Sequence, residues 1–264
     1  MNIRKAVIPI AGSGTRIAPL NDFIHKEMLP VFDRPLIYHV ITEAISAGIE
    51  HIIFVTRPSK FAVVEYIERE FLTSGCTFSY VNQNTLNGLG GALLCARNSI
   101  HSGETFAVLL PDDLVIGASC LSEMVRRYQS GNMVATRVVS KENAHKYGIL
   151  NVTNENDHIV TANSVIEKPK HVEYDENYAI IGRYLLHSSI FEHLQTLPVG
   201  VNGELQLSDA ITLACQQNIP LYGYKFLEDH IDCGSKSGWL RGLLKVAMQD
   251  EELASIIKSE GVKP

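Results

Sequence analysis

Lys5-Ala-Val-Ile-Pro-Ile-Ala-Gly-Ser-Gly-Thr-Arg16, followed by Lys26-Glu-Met-Leu-Pro30, is the stretch that decides the architecture. The apolar run Ala6–Ala11 reads as a buried strand. It breaks at Gly12-Ser-Gly14, where glycines let the backbone turn tightly and bring N–H groups close to an anion. Arg16 adds a planar fork of donors suited to phosphate oxygens, and Lys26 a second cation. The whole predicts a polyphosphate site at the C-terminal end of a first strand. Taken alone, the turn reads equally well as a tight turn without a ligand. The spacing is not that of a P-loop, and no third glycine stands where a dinucleotide fingerprint needs one.

From this strand the pattern continues outward as alternating strands and helices. Leu36–Ala47 has helical spacing, with Gly48 at the stop position. His51–Thr56 is a β-branched strand, Lys60–Phe71 an amphipathic helix, Thr77–Asn82 a strand, Gly90–Ala96 a helix and Thr105–Leu110 an apolar strand. This order predicts an α/β fold: a Rossmann-like, mixed but mostly parallel central sheet flanked by helices on both faces. In such sheets ligands bind beyond the carboxyl ends of the strands, so Gly12–Gly14 and Asp112-Asp113 share an edge although about a hundred residues part them.

The second half is richer in strands (Met133–Val138, Tyr147–Val152, His158–Ile166, Tyr178–Leu186), followed by helical patterns at Ser188–Leu194 and Gln206–Gln216. It reads as a smaller β-rich insertion. Ser237–Ser259 reads as helical and amphipathic. No repeats or linkers appear, so residues 1–264 are expected to form one domain, with halves at about 1–130 and about 131–236 and a C-terminal helical segment at 237–264.

With 264 residues, 45% of them hydrophobic, and a net charge of -6, the chain reads as a globular protein without the basic patch that nucleic acid requires. No apolar stretch approaches a membrane span. The five cysteines are scattered and form no Cys-x-x-Cys pair, which predicts reduced thiols, no zinc site and a cytoplasmic location.

The segment Gly12-Ser-Gly-Thr-Arg16 with Lys26-Glu-Met-Leu-Pro30 resembles the signature of the sugar-1-phosphate nucleotidyltransferases, the nucleoside-diphosphate-sugar pyrophosphorylases. Further motifs match over nearly the whole chain: Gly88-Leu-Gly90, Leu110-Pro-Asp-Asp113, Tyr147-Gly148, Glu167-Lys168-Pro169, Gly203-Glu-Leu-Gln-Leu-Ser-Asp209 and Asp232-Cys-Gly-Ser-Lys236. In detail they are most similar to the bacterial uridylyltransferase branch. The resemblance implies UTP and glucose 1-phosphate as substrates, UDP-glucose and pyrophosphate as products, and Mg²⁺ as cofactor. It implies that Arg16, Lys26 and Lys168 are catalytic and that Asp112 and Asp232 bind the metal. It places Ala11, Gly12, Gly14, Thr15, Gln83 and Gly88 on the nucleotide, and Gly148, Glu167 and Glu204 on the sugar. A homo-oligomer, dimer or tetramer, is expected.

Each of these residues also has a plainer reading. An Asp after a strand serves as a helix cap or an Asx turn; Asp113 is the alternative ligand or a supporting cap. Glu204 suits a first helical turn, and Arg183, in Asn177-Tyr-Ala-Ile-Ile-Gly-Arg183, suits a structural ion pair. The chain departs from the branch in three places. Gly12-Ser-Gly14 has the form usual in thymidylyltransferases. Leu20-Asn-Asp-Phe-Ile-His25 lacks a cation usual there and puts His25 before Lys26. Only Leu72–Asn82 spans a connection that usually holds a helical hairpin. Thymidylyl transfer and a non-catalytic, nucleotide-sugar-binding regulatory subunit are the alternatives.

Overall fold

The computed structural model describes residues 3–85, 87–200 and 203–259. In chain order the elements are β1 (Lys5–Pro9), β2 (Pro30–Val31), β3 (Arg34–Pro35), α1 (Leu36–Ser46), β4 (His51–Thr56), α2 (Phe61–Glu70), β5 (Thr77–Asn82), α3 (Gly88–Cys95), β6 (Thr105–Leu109), β7 (Asp113–Ile116) and α4 (Cys120–Arg127). They continue with β8 (Asn132–Ser140), α5 (Lys141–Ala144), β9 (Gly148–Glu155), β10 (Ile159–Glu167), β11 (Glu176–His187), α6 (Ile190–Thr196), α7 (Leu207–Gln216), β12 (Leu221–Lys225), β13 (Asp229–Asp232), α8 (Lys236–Ala247) and α9 (Glu251–Ser259).

Among the described residues, nine strands form one sheet in the order β5-β4-β1-β6-β11-β8-β12-β10-β9. The four strands of the first half are mutually parallel, as their alternation with helices requires. Beyond β6 the sheet is mixed: β11 pairs antiparallel with both β6 and β8, β8 is parallel to β12, and β10 is antiparallel to β12 and β9. With the additional β11–β9 pairing, five antiparallel pairings stand beside four parallel ones among the described residues, where a mostly parallel sheet was expected. The strands of the second half continue the main sheet. The reason lies in β11, whose 12 residues read buried almost throughout; a strand covered on both faces belongs inside a sheet.

Strand periodicity distributes the core. Ala6, Ile8, Ile52, Phe54, Ala107 and Leu109 face α1, α2 and α4. Their neighbours Val7, Ile53, Val55, Phe106 and Val108 face α3, α6 and α7. Successive side chains of a strand point to opposite faces, so one sequence serves two layers.

A third cluster positions the site. Ile17, Leu29, Val31, Leu36, Leu114, Ile231 and Cys233 pack together, with Trp239 and Val246 of α8 against them. This joins the segment after the glycine loop to the antiparallel pair β7–β13, in which Asp113 stands opposite Asp232. Neither β7–β13, β12 nor α4 is evident from periodicity alone, because each is short. The C-terminal segment carries two helices, α8 and α9. Residues 260–264 of the expected segment lie outside the described residues.

One ion pair in this region is fully enclosed. Lys60 Nζ lies 2.6 Å from Glu27 Oε2, with side-chain exposures of 2% and 0%. It ties the Lys26–Met28 turn to the start of α2. Removing one partner of a buried pair leaves the other charge stranded. Lys60→Met is therefore expected to destabilise the protein by about 3–5 kcal/mol, measured by urea unfolding. Glu27→Leu combined with Lys60→Met should recover most of that loss.

Candidate active site

The glycine loop follows β1 directly. Gly14 has φ 67°, a left-handed backbone that glycine adopts without strain. A Cβ there would lie 3.4 Å from Lys26 Cβ, and one on Gly12 would lie 3.7 Å from Lys26 Cε. The Lys26 stem therefore runs across the loop, and its ammonium reaches Asp112 Oδ2 at 2.9 Å.

Four charged groups meet at this point. Arg16 donates to Asp232 Oδ2 at 2.8 Å and to Asp112 Oδ2 at 3.3 Å. Asp232 Oδ1 also accepts the N–H of Gly234 at 2.9 Å. A Cβ on Gly234 would stand 2.3 Å from Arg16 Nη2, 2.6 Å from Asp112 Oδ2 and 2.8 Å from Asp232 Oδ1, so only glycine fits among them. The Cys233 N–H donates to the Asp112 carbonyl, which holds the two acidic turns together. Burial pushes the Asp112 carboxyl up, but the charges of Lys26 and Arg16 and the hydrogen bond from Lys26 outweigh it and hold the group below its ordinary range. Burial likewise works against the charged forms of Lys26 and Arg16. Asp112 with Glu27, and Asp232 with Asp112, overcome it and raise both above their usual values.

The Leu110–Asp113 turn is held from behind. Arg183, 1% exposed, donates to Glu43 Oε2 at 3.0 and 2.8 Å, to the Leu110 carbonyl at 3.1 Å and to the Asp113 carbonyl at 2.8 Å. This is the structural ion pair of the plainer reading. Asp113 turns its carboxylate to His230 Nε2 and packs where a Cβ on Gly182 would stand. Its carboxylate is thereby directed away from the hydrogen bonds that Arg16 and Lys26 make to Asp112 and Asp232, although the residue borders the same cleft.

A cleft of about 520 Å³ opens in front of these groups. Arg16, Gly88, Asp112, Gly148, Glu167, Lys168, Glu204 and Asp232 line it, so residues from both halves of the chain share one wall. Lys168 has φ 43°, an uncommon conformation for a residue with a Cβ and one that clusters at functional sites. Its N–H donates to the Tyr147 carbonyl at 3.0 Å, which joins the Glu167-Lys168 and Tyr147-Gly148 motifs. Gly88, with φ 84°, admits the strap at Glu204–Leu205: a Cβ on it would lie 2.9 Å from Glu204 Cβ. The strap is bound there by Gly90 N–H to the Leu205 carbonyl and Leu205 N–H to the Asn87 carbonyl.

Ala11, Gly12, Gly14, Thr15, Lys26 and Gln83 do not line this cleft. Gln83 is buried, and its amide donates to Asn87 Oδ1 at 3.1 Å. Lys146, Tyr184, Gln206 and Ser208 do line it and were not singled out from the sequence. Gln206, whose amide donates to Glu204 Oε2 at 3.1 Å, lies inside a quoted motif, and Lys146 adjoins one. Tyr184 carries no signal beyond an apolar strand.

The donor set suits Mg²⁺. Asp112 and Asp232 present hard carboxylate oxygens from two strand ends, already gathered around one cation, Arg16. No group of three or more His, Cys, Asp and Glu that could hold a metal occurs among the described residues. Two carboxylates are a set that suits an ion which keeps several waters and takes substrate phosphates.

Comparison with known proteins agrees with this geometry. The model of the nucleotidyl transferase family matches residues 5–249. The chain is 36% identical to the UTP–glucose-1-phosphate uridylyltransferase of Bacillus subtilis (strain 168), over 95% of this chain and 93% of that one. Among solved structures it is similar to a UDP-glucose pyrophosphorylase complexed with UDP-glucose (TM-score 0.85, 33% identity, 94% of this chain and 100% of that one). It is also similar to a UTP-bound UGPase from Acinetobacter baumannii (TM-score 0.84, 33% identity, 97% and 98%). The signature loop, the paired acidic turns and these full-length likenesses agree, and the chain belongs to the nucleotidyl transferase family.

Proposed function

We propose that the chain transfers a uridylyl group from UTP to glucose 1-phosphate, giving UDP-glucose and pyrophosphate. The observation that carries this reading is the convergence of Arg16, Asp112 and Asp232 in the wall of a cleft that also holds Glu167 and Lys168, with Lys26 paired to Asp112 behind that wall. Uridylyltransferase relatives at 32–36% identity over nearly the full length support it.

The reaction asks little covalent chemistry of the protein. A phosphate oxygen of glucose 1-phosphate forms a bond to the α-phosphorus of UTP, and the bond from that phosphorus to the bridging oxygen breaks, releasing pyrophosphate. Catalysis is then positioning and charge stabilisation. In this reading Arg16 and Lys26 hold the triphosphate and stabilise the leaving group. Lys168 holds the phosphate of the sugar phosphate. Glu167, Glu204 and the Gly148 backbone take the sugar hydroxyls. Ala11, Gly12, Gly14, Thr15 and Gly88 offer backbone to the nucleotide, with Gln83 supporting the base through Asn87. Residues 1–130 thus serve the nucleotide and 131–236 the sugar phosphate, within one domain. Asp112 and Asp232 would hold Mg²⁺, which when bound supplies neutralisation of the phosphates.

A cytoplasmic homo-oligomer belongs to the same proposal. Its support is five free cysteines and the exposed apolar side chains of Phe61, at the start of α2, and Leu72, two residues beyond its end. No helix among the described residues is long and apolar enough to cross a membrane.

The test is pyrophosphate release by the purified protein with Mg²⁺ and glucose 1-phosphate, in parallel with UTP, dTTP, CTP, ATP and GTP. Preference for UTP is expected. Better use of dTTP would move the chain to thymidylyl transfer, and no release with any nucleotide would favour a regulatory subunit. Lys168→Ala is expected to raise the KM for glucose 1-phosphate and to lower kcat/KM by about 10²–10³, as loss of one charge-stabilising donor does, with the melting temperature unchanged. Asp232→Asn is expected to raise the Mg²⁺ concentration for half-maximal rate at least about tenfold, since even changes behind a metal ligand cost that much.

A further inference from the structure

A second cleft, of about 720 Å³, lies beside the first. Arg16, Lys146, Tyr147 and Asp232 line both. Its other walls come from the end of β8, with Arg137, and from the start of α8, with Ser237 and Arg241.

The charge in this cleft is unbalanced. The only carboxylate in its lining is Asp232, which already accepts Arg16 at 2.8 Å. Arg137, Lys146 and Arg241 have no ion-pair partner among the described residues. Arg137 donates to the His230 carbonyl at 3.1 Å and Lys146 to Asn143 Oδ1 at 2.7 Å, both neutral acceptors. Arg241 has no side-chain partner among the described residues. In a chain with 29 acidic and 23 basic side chains, three uncompensated cations around one hollow repel each other until an anion enters. The 12-residue helix α8 begins at the same wall and adds the positive end of its dipole.

We propose that this second cleft binds a polyphosphate anion, a chain of two or three phosphates free or carried on a nucleoside, in addition to the triphosphate that reacts. The guanidinium of Arg16 faces both clefts, and an anion in the second competes with Asp112 and Asp232 for it. Occupancy therefore slows the reaction. This consequence rests on the proposed uridylyl transfer, whereas the binding itself does not.

Calorimetric titration decides the matter. Inorganic tripolyphosphate and, separately, ATP are titrated without Mg²⁺ and with UDP-glucose present, into the wild type and into a variant carrying Arg137→Gln and Arg241→Gln. The expected result is a dissociation constant raised at least tenfold in the double variant and about threefold in Arg241→Gln alone, with the melting temperature of the single variant unchanged. The difference should shrink as salt screens the cations. Tighter binding of ATP assigns a nucleotide to the cleft, and tighter binding of tripolyphosphate a free polyphosphate. Equal affinity of wild type and both variants, or no binding to the wild type, overturns the proposal. A protein inactive with every nucleotide that still shows the tenfold difference loses the uridylyl-transfer reading and keeps the second anion site.

Discussion

The rest of the site depends on one buried cation, Arg183. Its guanidinium sits in the sheet at the β6–β11 contact, 1% exposed. Burial by itself would favour losing the charge, but Glu43 outweighs it and holds the group above its usual value. An enclosed ion pair gains little stability, because desolvation consumes most of the attraction. What this one contributes is geometry. Five donors in a rigid plane find Glu43 on α1 and the carbonyls of Leu110, Gly182 and Asp113. The turn that carries Asp112 is thereby fixed to α1 and to the middle of the sheet. Glu43 uses its other oxygen on the Leu121 N–H of α4, so one pair aligns two helices, two strands and the acidic turn.

In front of that anchor, charge is assembled before any substrate arrives. Arg16 and Lys26 neutralise Asp112 and Asp232; Lys26 and Asp112 are enclosed, while Arg16 is exposed and held by its two ion pairs. A site arranged this way needs little reorganisation when phosphates enter, which is the source of most electrostatic catalysis. The enclosed Lys60–Glu27 pair works one layer further back. It pins the turn that points Lys26 forward, and His25 beside it has its pKa lowered chiefly by burial, with the charge of Lys60 adding to this.

Much of the fold was legible along the chain. The strand at Lys5–Pro9, the strands at His51–Thr56 and Thr77–Asn82 and the helix at Leu36–Ser46 follow their periodicity within a residue or two, because each buries a face against neighbours close in sequence. The sheet beyond β6 was less legible. The pairing of β11 with β6 and β8 depends on partners up to about eighty residues away, and strand periodicity does not name a partner. The hairpin-like pair β7–β13 joins residues more than a hundred apart and has only four residues per strand. In the site, the glycines, Arg16, Asp112, Lys168 and Asp232 stood out through motif spacing. Lys60, His230 and Arg137 did not, since each acts through a contact distant in sequence.

The sequence by itself determined the chemistry on offer: a glycine loop after a strand, cations behind it, two acidic turns, and a Glu-Lys-Pro turn. Such features are written in adjacent residues, and short-range sterics and hydrogen bonding act on them directly. Tertiary structure alone decided which groups meet. It placed Arg16 between carboxylates 120 residues apart in the chain, turned the Asp113 carboxylate to His230, buried Arg183 as the anchor, and left Arg137 and Arg241 facing a hollow whose one carboxylate, Asp232, is already taken by Arg16. The physical reason is that Coulomb attraction and desolvation depend on distance and burial in space, and both are set only when the sheet has closed.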